Sequence, residues 1–153
     1  MADIQFNEYF NKAVMITKSM FPGVFIYVIL AGMTEYFGWD IFVYTASAIV
    51  KNTGFAFVAL SVISFPIARE IEKNAPIKAI NGDDLLRRLY YASLINLGIA
   101  EISVCFGIII YIMSGDVRYF FLFFNICLLH IIINRPTLSK WENYMDNRFT
   151  REP

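Results

Sequence analysis

One histidine and two cysteines in 153 residues leave little with which to hold a metal. His130 has no second histidine to join it, and Cys105 and Cys127 form no Cys-x-x-Cys pair. Zinc, haem and di-iron sites need several such ligands at close spacing, so no metal and no cofactor are expected. The same scarcity argues against a disulfide framework. Both cysteines fall in apolar stretches, where a thiol packs as a small hydrophobe. Charge is also sparse. Charged residues make up 17% of the chain, against about 25% in ordinary soluble domains, and the formal net charge is zero. No run of Lys and Arg resembles a phosphate-binding stripe, so nucleic acid is not expected as a partner. The opening "MADIQFNEYFNKAVMITKSM" mixes polar, charged and apolar residues. It is not a basic stub before an apolar core, and no cleavable signal peptide is expected.

What the chain has instead is apolar and aromatic. Hydrophobic residues reach 58%, with fifteen Phe and nine Tyr. The charges gather at both ends and in the middle and leave long apolar blocks between them. A bilayer core of about 30 Å takes about 20 apolar residues in helix. Four blocks meet that need, at residues 21–44, 54–70, 89–113 and 117–134. A membrane barrel would instead show alternating ten-residue segments. The expected fold is all-α: one polytopic domain over residues 1–153, with four transmembrane helices. Pro22 suits the first turn of the first span. An amphipathic surface helix carrying Ile4, Phe6, Tyr9, Phe10, Ala13 and Val14 should lead into that span. The central loop, 71–88, reads as a helix stop near Pro76. A new helix then follows, capped by Asp83 or Asp84. In the tail, 135–153, Thr137 or Ser139 can cap a short helix. Its Trp141, Tyr144 and Met145 would lie on the membrane interface. Asp40, beside Trp39, is expected at the outer boundary.

The basic residues divide unevenly. Lys12 and Lys18 precede the first span. Arg69, Lys73, Lys78, Arg87 and Arg88 lie between the second and third. Arg135, Lys140, Arg148 and Arg151 follow the fourth. Only Lys51 and Arg118 fall on the other side. By the positive-inside rule both termini and the central loop are cytoplasmic.

Two carboxylates interrupt the most apolar blocks, each one turn after a glycine, in "GMTE" (32–35) and "GIAE" (98–101). At about 1.5 Å per residue, Glu101 sits roughly 20 Å along its helix from Arg88, near the bilayer middle. Glu35 sits about 25 Å from Lys18 by the same rise. An acid at such depth must face protein or water, or carry a proton. A glycine on the same face lets another helix approach closely. Gly32, Gly98 and Cys105 are therefore the candidate packing residues. Glu35 and Glu101 are the candidate helix-contact or ion-binding groups. Asn96, Asn125 and His130 are secondary polar candidates, with His130 expected to pack by hydrogen bonding. A shift of 66 residues lays Gly32 on Gly98, Glu35 on Glu101 and Phe55 and Phe57 on Phe121 and Phe123. That is the pattern of a parallel two-hairpin repeat.

"GIAEISVCFGIIIYIMSGD" resembles the carboxylate helix of the c-type proteolipid subunits of rotary ATPases. The resemblance implies a proton or monovalent cation carried on Glu101, and on Glu35 through "GMTEYFG". The acids here lie on the first and third spans, whereas a duplicated proteolipid carries them on the second and fourth. The longer stretch "LLRRLYYASLINLGIAEISVCFGIIIYIMSGDVRYFFLFFNICLLHIIINRPTLSKWE" resembles a group of small, uncharacterised bacterial four-helix membrane proteins. That likeness implies a bacterial cytoplasmic membrane and brings no activity with it. The leading expectation is a small integral membrane subunit, not an enzyme, assembling with copies of itself or other membrane subunits in the lipid bilayer. The rival is a proton- or cation-coupled element working through Glu101 and Glu35. A membrane enzyme similar to the four-helix glutathione transferases would need an arginine-rich pocket, toward which Arg87 and Arg88 offer little.

Overall fold

In the computed structural model, residues 2–39 and 41–149 are described, with side chains for 5–39 and 41–147. Asp40 and the side chains of Ile4 and Arg148 lie outside the described residues, as does Arg151. Among the described residues, five α-helices follow one another: α1 (Ala2–Phe37), α2 (Ser47–Ile77), α3 (Gly82–Ser114), α4 (Val117–Asn134) and α5 (Leu138–Phe149). The first four are long and apolar enough to cross a membrane. The protein is an all-α, multi-pass integral membrane protein.

The helix boundaries differ from the sequence reading in instructive ways. The surface helix and first span are one rod, and Pro22 lies inside it rather than in its first turn. The missing N–H falls opposite the carbonyl of Lys18. Lys18 and the proline ring are both exposed. The rod ends at Phe37, seven residues before Tyr44, because Gly38 turns left-handed at φ 61°. Trp39 N–H then closes back on the Thr34 carbonyl at 3.2 Å. Residues 41–46 run back over the end of α3 as extended chain. Val43 and Thr45 donate to the carbonyls of Ile112 and Met113 at 2.9 and 3.0 Å. The last carbonyls of a helix have no intrahelical donor. Here the returning chain supplies two of the missing donors, which outweighs further winding of α1.

Pro76 falls within the last turn of α2, which runs on to Ile77. The central loop thereby shrinks to a few residues. The cap of α3 is Asn81, not Asp83 or Asp84. Its Oδ1 accepts from Asp84 N–H at 2.8 Å, while the Asp84 carboxylate accepts from Ile80 N–H at 3.2 Å. This is a reciprocal capping arrangement. Asp84 also holds Arg88 at 2.8 Å. α4 keeps the span read from the sequence.

α3 is the centre, with α1, α2 and α4 packed around it. One core joins α1, α3 and α4 through Val24, Ala31, Ala100, Val104, Phe120 and Cys127. A second joins α2, α3 and α4 through Val50, Ile110 and Phe123, beside Phe57 and Phe106, stacked at 4.2 Å. Among the glycines, the tightest surroundings are at Gly107. A Cβ there would lie 2.8 Å from Phe123 Cβ and 3.2 Å from the Phe120 carbonyl oxygen.

A third cluster caps one end of the bundle. Ala13 of α1, Ala75 of α2, Leu85, Leu86 and Leu89 of α3 and Trp141 of α5 are all buried there. Trp141 is 1% exposed and meets Phe10 edge-on at 5.5 Å and Phe6 at 6.4 Å. It is therefore no interfacial anchor. Residues from the start of α1, the α2–α3 connection and α5 converge on it, and together they exclude it from the surface. Tyr144 and Met145 are half-buried against the same cluster.

Candidate functional site at the seam of α1 and α3

α1 and α3 run parallel, and their seam carries both Glu35 and Glu101. Tyr27 of α1 donates its hydroxyl to Glu101 Oε1 of α3 at 3.3 Å. Tyr111 of α3 donates to Glu35 Oε1 of α1 at 2.8 Å. Each helix thus supplies one acid and one phenol to the other. Among the described residues, these are the only hydrogen bonds from one side chain to another between transmembrane helices. The offsets, 74 and 76 residues, agree with a single parallel register. At about 1.5 Å per residue, Glu35 lies about 12 Å farther along the seam than the Tyr27–Glu101 pair. The two acids therefore occupy different depths.

Two cavities adjoin the pairs. One of about 120 Å³ lies between the tyrosines, lined by Tyr27, Ala31, Thr34, Ile108, Tyr111 and Phe120. The other, about 260 Å³, lies at the far end of α1 and is lined by Thr34, Glu35, Gly38, Trp39, Phe42 and Tyr44. Glu35 is exposed there, whereas Glu101 is half-buried. A carboxylate with a phenolic donor on an adjacent helix can fasten that helix. It can also take up or release a proton.

Gly32 and Gly98 do not mark contacts within the chain. Both are exposed, and a Cβ at either meets nothing within 4 Å. The acids at i+3 turn toward the seam while the glycines face away from the bundle. Cys105 is likewise exposed, while Cys127 is fully buried. The glycine that does admit a neighbouring helix is Gly107. Asn125 is exposed and donates to its own helix at the Phe121 carbonyl, 2.8 Å away. Asn96, 2% exposed, leaves its Oδ1 without a hydrogen-bond partner among the described residues. His130 is fully buried, its ring 4.6 Å from that of Phe65. Its Nδ1 lies 3.3 Å from Asn134 Nδ2, and its Nε2 is unpartnered among the described residues.

Tyr27 and Tyr111 escaped the sequence reading. The signal was present as a Tyr eight residues before one acid and another ten residues after the other. It gains meaning only once α1 and α3 are known to be parallel neighbours.

Neither pair needs its acid's charge. An amide oxygen accepts a phenolic hydrogen as a carboxylate does. Glu101→Gln and Glu35→Gln should therefore leave thermal stability in detergent near the parent's. Tyr111→Phe should lower it by about 1 kcal/mol, the scale of interhelical hydrogen bonds in membranes. A Tyr111→Phe melting curve superimposable on the parent's would show that the seam is not held there.

Compared with known protein families, curated proteins and solved structures, the chain matches none.

Proposed function

We propose that the chain is a small structural subunit of a bacterial cytoplasmic-membrane assembly, with both termini on the cytoplasmic side. Its two glutamates fasten α1 to α3. Its lateral contact, with a second copy or with a partner subunit, is the outward face of α3. The observation that carries this reading is a stripe on that helix. Tyr91, Ile95, Gly98, Ile102, Cys105 and Ile109 are all exposed and recur at steps of four and three. That is the heptad spacing of packed helices. Two small residues in its middle permit close approach in a bilayer, where packing rather than hydrophobic transfer holds helices together. Because α1, α2 and α4 all pack on α3, a helix seated on this stripe would reach the centre of the fold.

Cys105 gives a direct test, since Cys127 is buried and Cys105 exposed. Mild oxidation of native membranes should yield a cross-linked species that vanishes with Cys105→Ser and persists with Cys127→Ser. Twice the chain mass would identify a second copy, and another mass a partner chain. Absence of any Cys105 adduct, with unchanged sedimentation of Gly98→Leu in detergent, would remove this face from consideration.

A second reading is favoured by the cavity between Tyr27 and Tyr111. In it, Glu101 and Glu35 exchange a proton or monovalent cation along the seam. Dicyclohexylcarbodiimide should then modify Glu101, and Glu101→Gln should abolish ion-dependent behaviour while assembly persists.

A further inference from the structure

At the end of the bundle that carries α5, the space between α2, α4 and α5 forms a cavity of about 520 Å³. Its lining is layered. Phe65 and Pro66 of α2 and Ile133 of α4 form the inner wall. Arg69 follows about one turn along α2 and Glu72 another turn on, with Lys140 of α5 facing them. From Phe65 to Glu72 is about 10 Å along the helix axis. Within that distance the wall changes from hydrocarbon to charge.

The charges do not cancel. Lys140 Nζ lies 3.5 Å from Glu72 Oε2, so that carboxylate has its counter-ion. Arg69 is exposed and has no ion pair or hydrogen bond among the described residues. Tyr144 stands near both ends of this group. Burial first, and then Glu72, hold its phenol above the ordinary value, with Arg69 acting the other way. It therefore adds no negative charge. The cavity keeps one guanidinium in surplus, beside a lysine shared with one acid. A guanidinium matches the oxygens of a phosphate in a two-pronged hydrogen bond. This end of the bundle also carries most of the chain's Lys and Arg. Anionic headgroups gather on such basic surfaces.

We propose that this cavity binds an anionic phospholipid. Arg69 and Lys140 hold the headgroup phosphate, and one acyl chain lies along Phe65, Pro66 and Ile133. Inorganic phosphate shares the headgroup chemistry but has no use for the apolar wall. The layered lining favours the lipid.

The test is native mass spectrometry of the full chain in detergent with an equimolar mixture of phosphatidylglycerol and phosphatidylcholine. Phosphatidylglycerol should be retained with roughly tenfold preference, the scale of one or two cations acting on an anionic lipid. Arg69→Gln with Lys140→Gln should erase the preference. Lys73→Gln with Lys78→Gln, at the same end but outside the cavity, should keep it. Ile133→Trp fills the apolar wall without touching a charge and should weaken lipid retention. Melting curves confirm that each variant is folded. Equal retention of the two lipids overturns the proposal, as does an unchanged preference in the Arg69 and Lys140 variant. Displacement of the lipid by inorganic phosphate, with retention unaffected in Ile133→Trp, would overturn the lipid and assign the site to a free anion.

Discussion

A Gly107→Leu chain should melt well below the parent in detergent, and much of it should fail to reach the folded state. At Gly107, α3 packs directly against α4. Even a methyl group there meets Phe123 Cβ at 2.8 Å and the Phe120 main-chain oxygen at 3.2 Å. A flexible side chain could swing aside, but a backbone oxygen cannot. Leucine adds three more carbons in the same gap, so the helices must part. Overpacking a well-filled core costs about 1–3 kcal/mol. Here the cost lies at the upper end or above, because Phe120 and Phe123 are themselves fully buried on either side. Gly98→Leu is the matched control. It adds the same atoms where nothing lies within 4 Å, and the monomer's thermal transition should not move. A Gly107→Leu transition at the parent's temperature would mean that α3 and α4 do not meet at this point.

Trp141→Ala should have the other large effect, confined to the cap. Trp141 fills the space among Phe6, Phe10, Leu85 and Leu89 and is 1% exposed. Removing a buried indole costs about 3–5 kcal/mol. The other ties of α5 to the bundle are the half-buried Tyr144 and Met145 and the Lys140–Glu72 pair at 3.5 Å, each smaller than the buried indole. Loss of the indole should therefore release α5 while the transmembrane helices stay in place. Limited trypsin digestion reads this directly. Cleavage after Lys140 should accelerate markedly in Trp141→Ala and by an intermediate amount in Trp141→Phe. Cleavage at the parent's rate would return Trp141 to the membrane surface, where a reading of its neighbours in sequence places it.

That misplacement shows which features could be read from the residues and which could not. The four membrane helices were legible because each must satisfy its own backbone in lipid, and the hydropathy of the sequence records that need. The bounds of α4 were legible too, since Asp116 and Arg135 fence it on both sides. The end of α1 was not. Residues 38–44 are as apolar as those before them. The helix stops because Ile112 and Met113, some seventy residues away, offer carbonyls to the returning chain. The candidate site divides the same way. Glu35 and Glu101 stand out as acids among hydrocarbon side chains. Tyr27 and Tyr111 do not stand out among nine tyrosines, because only the register of two parallel helices selects them. Gly32 and Gly98 drew attention by adjacency to the acids, whereas the glycine buried against α4 has phenylalanine and isoleucine beside it and no polar marker. Trp141 looked like an anchor for want of any sign that the start of α1 would fold over it.

The cap also dictates an order of events during synthesis. Phe6 and Phe10 of α1 precede α2, α3 and α4 in the chain, and Trp141 of α5 follows them. The nascent chain must thread its hydrophobic rods into the bilayer while the aromatic side chains near its beginning still lack their lid. Only synthesis of α5 delivers the indole that seals them. Closure of the cap therefore waits on α5, and a chain halted after α4 would leave Phe6 and Phe10 without their lid.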